Sequence, residues 1–148
     1  QVSTQCKMNE LIITPLDIIK VNKGDVMHAM KSHDPGFSGF GEAYFSVVSY
    51  NAIKAWKRHH EMTLNLVVPV GKIRFVLFDD RKASNTQFQE VIISKDNYCR
   101  LTVPPMVWIG FQGLSDNGSM LLNIADIEHN PHEVDKKNIE QIEFNWSN

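Results

Sequence analysis

Cysteine is nearly absent from this chain. Cys6 and Cys99 are the only two in 148 residues, and they stand far apart. Two such residues cannot build the disulfide framework of a small secreted domain, and they match no metal-binding or redox spacing. They are read as free thiols of a reducing cytoplasm. Long apolar runs are also missing: none approaches the ~20 residues of a membrane-spanning helix. The N-terminal QVSTQCKMNE has no apolar core of the kind a secretory leader carries. There is no excess of positive charge either. A net charge of −2 gives no basic field to draw a nucleic acid or an anionic bilayer, so neither is an expected partner. Repeats, low-complexity tracts and amphipathic helices are absent as well.

What is present is a series of short segments rich in β-branched and aromatic residues. At 148 residues and 43% hydrophobic content, the chain suits one domain with a sizeable core. Strands are predicted within 10–21, interrupted by Pro15, and at 26–30, 42–50, 64–69, 72–79, 89–94, 100–103, 107–113 and 119–127. Turn residues punctuate them every ~8–12 positions. Lys23-Gly24-Asp25, the polar 82–87, Lys95-Asp96-Asn97 and Ser115-Asp116-Asn117-Gly118 all read as turns. Residues 32–41, SHDPGFSGFG, form a Gly-, Pro- and Ser-rich loop that either folds over a site or lies on the surface pinned by Phe37 and Phe40. The polar tail 128–148, with an apolar stretch at 139–146, is expected to pack on the outside as a short helix or strand. This pattern predicts an all-β sandwich or barrel.

The stretch 52–81, AIKAWKRHHEMTLNLVVPVGKIRFVLFDDR, organises the rest. Two apolar strands meet at Val70-Gly71, where glycine supplies the backbone freedom of a tight reversal. On the second strand Ile73, Phe75 and Leu77 share one face, and Arg74, Val76 and Phe78 share the other. Both faces are largely apolar, which predicts cover on both sides. The basic segment Lys54 to Glu61 is expected where an interior cavity opens.

These residues carry a resemblance. The run Gly41-Glu42-Ala43-Tyr44-Phe45-Ser46-Val47-Val48 is followed by Ile53-Lys54-Ala55-Trp56, a basic and His segment, Val70-Gly71-Lys72-Ile73 and Val76-Leu77-Phe78-Asp79-Asp80-Arg81. Val103-Pro104-Pro105, Gly110-Phe111 and Asn130-Pro131 come later, in the same order. Over roughly residues 10 to 146 the chain is similar to the cupin-type sugar-nucleotide epimerases, the group of dTDP-4-dehydrorhamnose 3,5-epimerase. The resemblance implies a jelly-roll cupin barrel and a homodimer whose interface includes the N-terminal strands of 10–30. It also implies metal-independent epimerisation, at C3, C5 or both, of a nucleotide-linked 4-keto-6-deoxy sugar for polysaccharide synthesis, in the cytoplasm and without a cofactor.

The resemblance further implies where the chemistry sits. The family's base, a His, corresponds here to Lys57. Its acid, a Tyr before an Asn-Pro pair, corresponds to His129. A further His corresponds to Ile109, and the phosphate-binding Arg to Lys54, which keeps the charge and loses the bidentate fork. Lys57 works as a base only if its surroundings lower its pKa, whereas His129 can serve as acid or base with little tuning. Because three family positions are replaced, the alternative is a re-tasked or inactive cupin that binds a nucleotide sugar without turnover. His59 shares strand parity with Lys57 and joins Lys54 as a candidate for substrate binding.

Three more candidates come from the residues themselves. Asn65 interrupts an apolar strand and faces either the cavity or a satisfied buried partner. Arg74 sits among apolar residues and needs a polar partner or cavity. Trp108, like Tyr44, offers a ring for stacking on a base or sugar, or is core. Many cupins hold a metal through a His-x-His pair, a Glu and a later His. Here His59 and His60 are adjacent, so a regular strand sends them to opposite faces, and no metal is expected.

Overall fold

The computed structural model describes residues 11–81 and 88–147. The polar turn expected at 82–87, and Cys6, lie outside those residues. Among the described residues twelve strands are defined: β1 (Ile12–Pro15), β2 (Ile18–Ile19), β3 (Val26–Met27), β4 (Glu42–Val48), β5 (Ile53–His59), β6 (Leu64–Val70), β7 (Lys72–Phe78), β8 (Phe88–Ser94), β9 (Cys99–Val103), β10 (Trp108–Gly113), β11 (Ser119–Ala125) and β12 (Val134–Lys136). Sheet one runs β1-β9-β6-β11-β4, and sheet two runs β12-β5-β10-β7-β8. β2 and β3 form a small ribbon of their own. From β4 onward the chain alternates between the sheets, except from β7 to β8, which are neighbours in sheet two, and the pairings are antiparallel. That is the jelly-roll barrel.

One expectation is corrected here. β6 and β7 are not a hairpin around Val70-Gly71. β6 pairs with β9 and β11, whereas β7 pairs with β10 and β8. The chain turns a corner at Gly71 from one sheet to the other. Gly71 has φ +84°, and a Cβ there would lie 2.3 Å from Ser119 Oγ. Ser119 ties the corner down, since its hydroxyl accepts from Lys72 N–H and donates to Lys72 C=O, each at 3.0 Å. The local sequence reports a sharp change of direction but not which strands pair beyond it.

Period-2 alternation sorts every strand into a face between the sheets and a face outside them. Ile73, Phe75 and Leu77 of β7 join Leu64, Leu66, Val68, Leu101 and Leu121 in the core between the sheets. Val76 and Phe78 look outward and form a second cluster with Trp56, Trp108, Ile142, Phe144 and Trp146. Residues 137–147 therefore cover the outer face of sheet two, which explains why β7 is apolar on both sides. Trp146 lies 5.6 Å from Trp56 and edge-on to Phe144 at 4.9 Å, between ring centroids.

The 32–41 loop lies against the outer face of sheet one. Its pins are polar rather than aromatic: Arg100 donates to the carbonyl of Pro35, and Asn65 donates to that of Gly36. Phe37 and Phe40 remain exposed.

Removing the Trp146 ring leaves its apolar neighbours in the second cluster without a cover. Trp146→Ala is expected to lower unfolding free energy by about 3 kcal/mol, read from the urea midpoint at unchanged m-value. A loss below about 1 kcal/mol would show that the tail does not contribute as described.

Candidate active site

β5 sits between β10 and β12, and its alternation divides the basic segment between two faces. Val134, Asp135 and Lys136 of β12 lie opposite His59, Arg58 and Lys57. On the other side Ile109 is opposite Lys57 and Phe111 is opposite Lys54, with a bulge between Ile109 and Gly110. Ile109 and Phe111 belong to the core between the sheets. Lys54, Lys57, His59 and Lys136 thus share the inward face, while Trp56 and Arg58 look outward. Gly110 makes room for this edge: a Cβ there would lie 2.7 Å from Ala55 Cβ and 3.1 Å from the Trp56 ring.

The four-residue link 49–52 keeps β4 over β5, held by Asn51 N–H to Gly113 C=O at 2.9 Å and Gly113 N–H to Ala52 C=O at 3.1 Å. Val48 of β4 is core, so Glu42, Tyr44 and Ser46 face inward with it. Asn123 of β11 lies opposite Tyr44 and donates from Nδ2 to the phenol oxygen at 2.9 Å. The inward faces of β4, β11, β5 and β12 therefore carry three ammonium groups, a phenol, a buried amide and Glu42.

Burial depresses the pKa of Lys57 below the ordinary lysine range, and the ammonium groups of Lys136 and then Lys54 depress it further. The residue is exposed beside the edge strand β12, so solvent tempers the effect, but burial of part of the side chain desolvates it. Among the described residues no carboxylate pairs with Lys57.

Glu133 holds this edge together. Its buried carboxylate meets His59 Nδ1 through Oε2, while Oε1 accepts from the N–H groups of Glu61 at 2.9 Å and Met62 at 3.1 Å. Its own C=O accepts from His60 N–H at 2.8 Å. Burial alone would raise the carboxyl pKa. The His59 hydrogen bond, the two backbone donors and the His59 charge outweigh that and lower it. Asp135 works on the outer face, accepting from Arg58 at 2.7 Å and meeting His60 Nε2 at 2.8 Å, and these partners lower its pKa. His59 and His60 thus go to different carboxylates on opposite faces. Among the described residues no three of His, Cys, Asp and Glu gather as a ligand set.

The structure separates the other candidate residues. His129 is exposed on the link between β11 and the turn Pro131–Glu133; no hydrogen bond or ion pair joins it to Lys57. Asn65 does not face inward. It looks outward from sheet one, donating to Gly36 C=O at 3.0 Å and accepting from Thr102 Oγ1 at 2.6 Å. Arg74 points to the outer face of sheet two, with Glu90 at 3.5 Å, beside a cleft of 340 Å³ lined by Ile53, Gln112 and Trp146. Trp108 is on that outer face too. Its ring carries Arg58 at 4.7 Å and Lys137 at 4.9 Å, and its Nε1 donates to Asp80 at 3.2 Å. Asn65, Arg74 and Trp108 are thus removed from the inward site by strand parity. Lys136 and Asn123 face inward. Asn123 could be narrowed by parity against Asp126, but Lys136 becomes visible only once β12 is known to pair with β5.

No protein-family model matches the chain. A dTDP sugar isomerase of Desulfovibrio desulfuricans G20 superposes with a TM-score of 0.88 at 37% identity, covering 93% of this chain and 90% of that one. The probable low-salt glycan biosynthesis epimerase Agl13 of Haloferax volcanii is 29% identical over 100 residues, which is 66% of this chain and 64% of that protein. The match thus spans a little under two thirds of the archaeal protein's length. The dTDP-6-deoxy-D-glucose-3,5-epimerase of Legionella pneumophila, solved with dTDP-4-keto-L-rhamnose, shares the fold at TM-score 0.78 and 18% identity, over 92% of this chain and 77% of that one.

Glu133 and Asp135 have lower pKa values folded than unfolded. The stability they contribute is complete above the unfolded carboxylate range and is lost as pH falls through the depressed folded values. Acid unfolding is therefore expected to set in from about pH 5 downward. Glu133→Gln should flatten that dependence while keeping an acceptor for Glu61 and Met62. Urea midpoints measured across pH would count against this if both proteins gave the same slope.

Proposed function

Because this chain belongs to the family of dTDP-sugar isomerases and epimerases, we propose that it epimerises a nucleotide-linked 4-keto-6-deoxy sugar, at C3, C5 or both, in polysaccharide synthesis. The observation that carries this reading is the inward position of Lys57, the family's base position, among groups that make its ammonium more acidic. The 4-keto group acidifies the adjacent C–H bonds. Neutral Lys57 takes a proton from one of these carbons, and the bonding electrons move into the carbonyl to give an enolate. A nearby ammonium offsets the developing negative charge. His129, as imidazolium, returns a proton to the opposite face of the carbon. Acid and base act from opposite sides of the ring, so the reading does not require His129 to touch Lys57. Lys54 takes the diphosphate, and His59, oriented through Nδ1 by Glu133, presents Nε2 to the sugar. Side chains alone supply this chemistry, with no metal or cofactor assigned.

The working form in this reading is a cytoplasmic homodimer. Phe45 and Val47 are 62% and 69% exposed on the outer face of β4. Next to them lie Met120, Leu122 and Ile124 of β11, of the same parity. An apolar stripe of this kind is suited to a second copy of the chain. Buried Cys99 is a free thiol, and among the described residues no helix is long and apolar enough to cross a membrane.

Incubation with dTDP-4-keto-6-deoxyglucose in deuterated water is expected to place label at C3 or C5, and Lys57→Ala and His129→Ala to abolish it. Calorimetric binding of the nucleotide sugar without label would instead establish the binding-only reading, and neither binding nor label would overturn both. Phe45→Lys is expected to convert the dimer to a monomer in sedimentation experiments; a wild-type monomer would defeat the dimer.

A further inference from the structure

The pairing of β12 with β5 treats its two faces differently. On the outer face Arg58 and Asp135 lie opposite each other and form an ion pair at 2.7 Å. One residue along, on the inner face, Lys57 lies opposite Lys136. Directly opposed like charges destabilise an antiparallel pair, so this arrangement runs against sheet stability. Lys54, on the same face of β5, adds a third cation, and among the described residues none of the three lysines forms an ion pair.

The other groups facing this space do not cancel that charge. Glu133 is occupied by His59 and two backbone donors. Glu42 of β4 also faces inward but pairs with none of the lysines. Tyr44 is bonded to Asn123. From β10 only Ile109 and Phe111 face in, and they are apolar.

We infer that Lys136 is a positioning residue for the proposed reaction: its ammonium, placed opposite Lys57 by the β12–β5 pairing, favours the neutral, proton-accepting form of Lys57. This rests on the reading of Lys57 as the base. Of the two lysines that lower the Lys57 pKa, Lys136 acts more strongly than Lys54. Lys136 itself takes no proton from the substrate.

The test titrates the ε-methylene signals of the full-length protein labelled with ¹³C-lysine, with Lys57 assigned by its loss in Lys57→Arg. Lys57 is expected to titrate below the other lysines. Lys136→Gln should move its titration to higher pH, Lys136→Arg should leave it as in wild type, and the exposed surface variant Lys95→Gln should change nothing. In the deuterium-exchange assay the limb that rises as Lys57 deprotonates should move to higher pH in Lys136→Gln, with a several-fold loss at neutral pH, restored in Lys136→Arg. An unmoved Lys57 titration in Lys136→Gln overturns the inference, as does a loss of dTDP affinity with the pH profile unchanged, which would make Lys136 a diphosphate ligand only. Absence of label with wild-type protein at every pH defeats the epimerase reading itself. The Lys57 titration still decides in that case whether Lys136 acts on Lys57.

Discussion

The site depends on the contact between Glu133 and the turn that follows β5. Burying a carboxylate is costly unless its charge is compensated, and Glu133 receives a His ring and two backbone N–H groups in return. That contact brings the chain after β11 back to the edge of β5. It sets the register in which Val134, Asp135 and Lys136 pair with His59, Arg58 and Lys57. It also orients the His59 ring. Were this clasp absent, β5 would be an open edge, Lys136 would have no defined position, and the inward face would carry two ammonium groups instead of three.

The same pairing separates structure from chemistry across the thickness of one sheet. On the outer face the charges beside β12 are matched: Arg58 lies between Asp135, Asp80 and the Trp108 ring, and His60 meets Asp135. The tail then seals that face with Ile142, Phe144 and Trp146. On the inner face the cations are left uncompensated beside an apolar core. A sheet folded for stability alone would have no reason to be neutralised on one side and repulsive on the other. The outer face supplies the stability that lets the inner face be unfavourable.

Much of this was legible in the sequence, for a definite reason. Turn residues and β-branched runs report where strands begin and end, so β4, β6 to β11 and the all-β architecture can be read without coordinates. Parity along β5 placed Lys57 and His59 on one face correctly. Two things are not local. The first is which sheet a strand joins: Val70-Gly71 reads the same whether the chain reverses or turns a corner. The second is which face is inward when both are apolar. β7 buries both sides, one under the opposite sheet and one under the tail, so Arg74 could not be assigned from its neighbours. Asn65 on β6 had the same ambiguity, resolved by the 32–41 loop that covers the outer face of sheet one. β12 is three residues long, and two of them are charged. Its strand character comes from its partner, and Lys136 was hidden with it.

Under the proposed reading, a lysine in the base position raises a question of charge balance. Free lysine holds its proton up to about pH 10.4, far above the range in which a base is useful, so the surroundings must favour the neutral amine. Burial by itself would do so at the expense of access, and Lys57 has to remain exposed to meet a sugar. Neighbouring cations add to the partial burial of Lys57 while leaving the side chain exposed. A nucleotide sugar, however, brings a diphosphate, and a diphosphate seated beside Lys57 would cancel their effect at the moment it is needed. The bulge between Ile109 and Gly110 separates Lys54 from the Lys57–Lys136 pair along β5. Lys54 can then be neutralised by the diphosphate while Lys136 keeps its charge opposite the base. In this reading the two flanking lysines are not redundant: one takes the anion, and the other is useful only if the anion stays away from it.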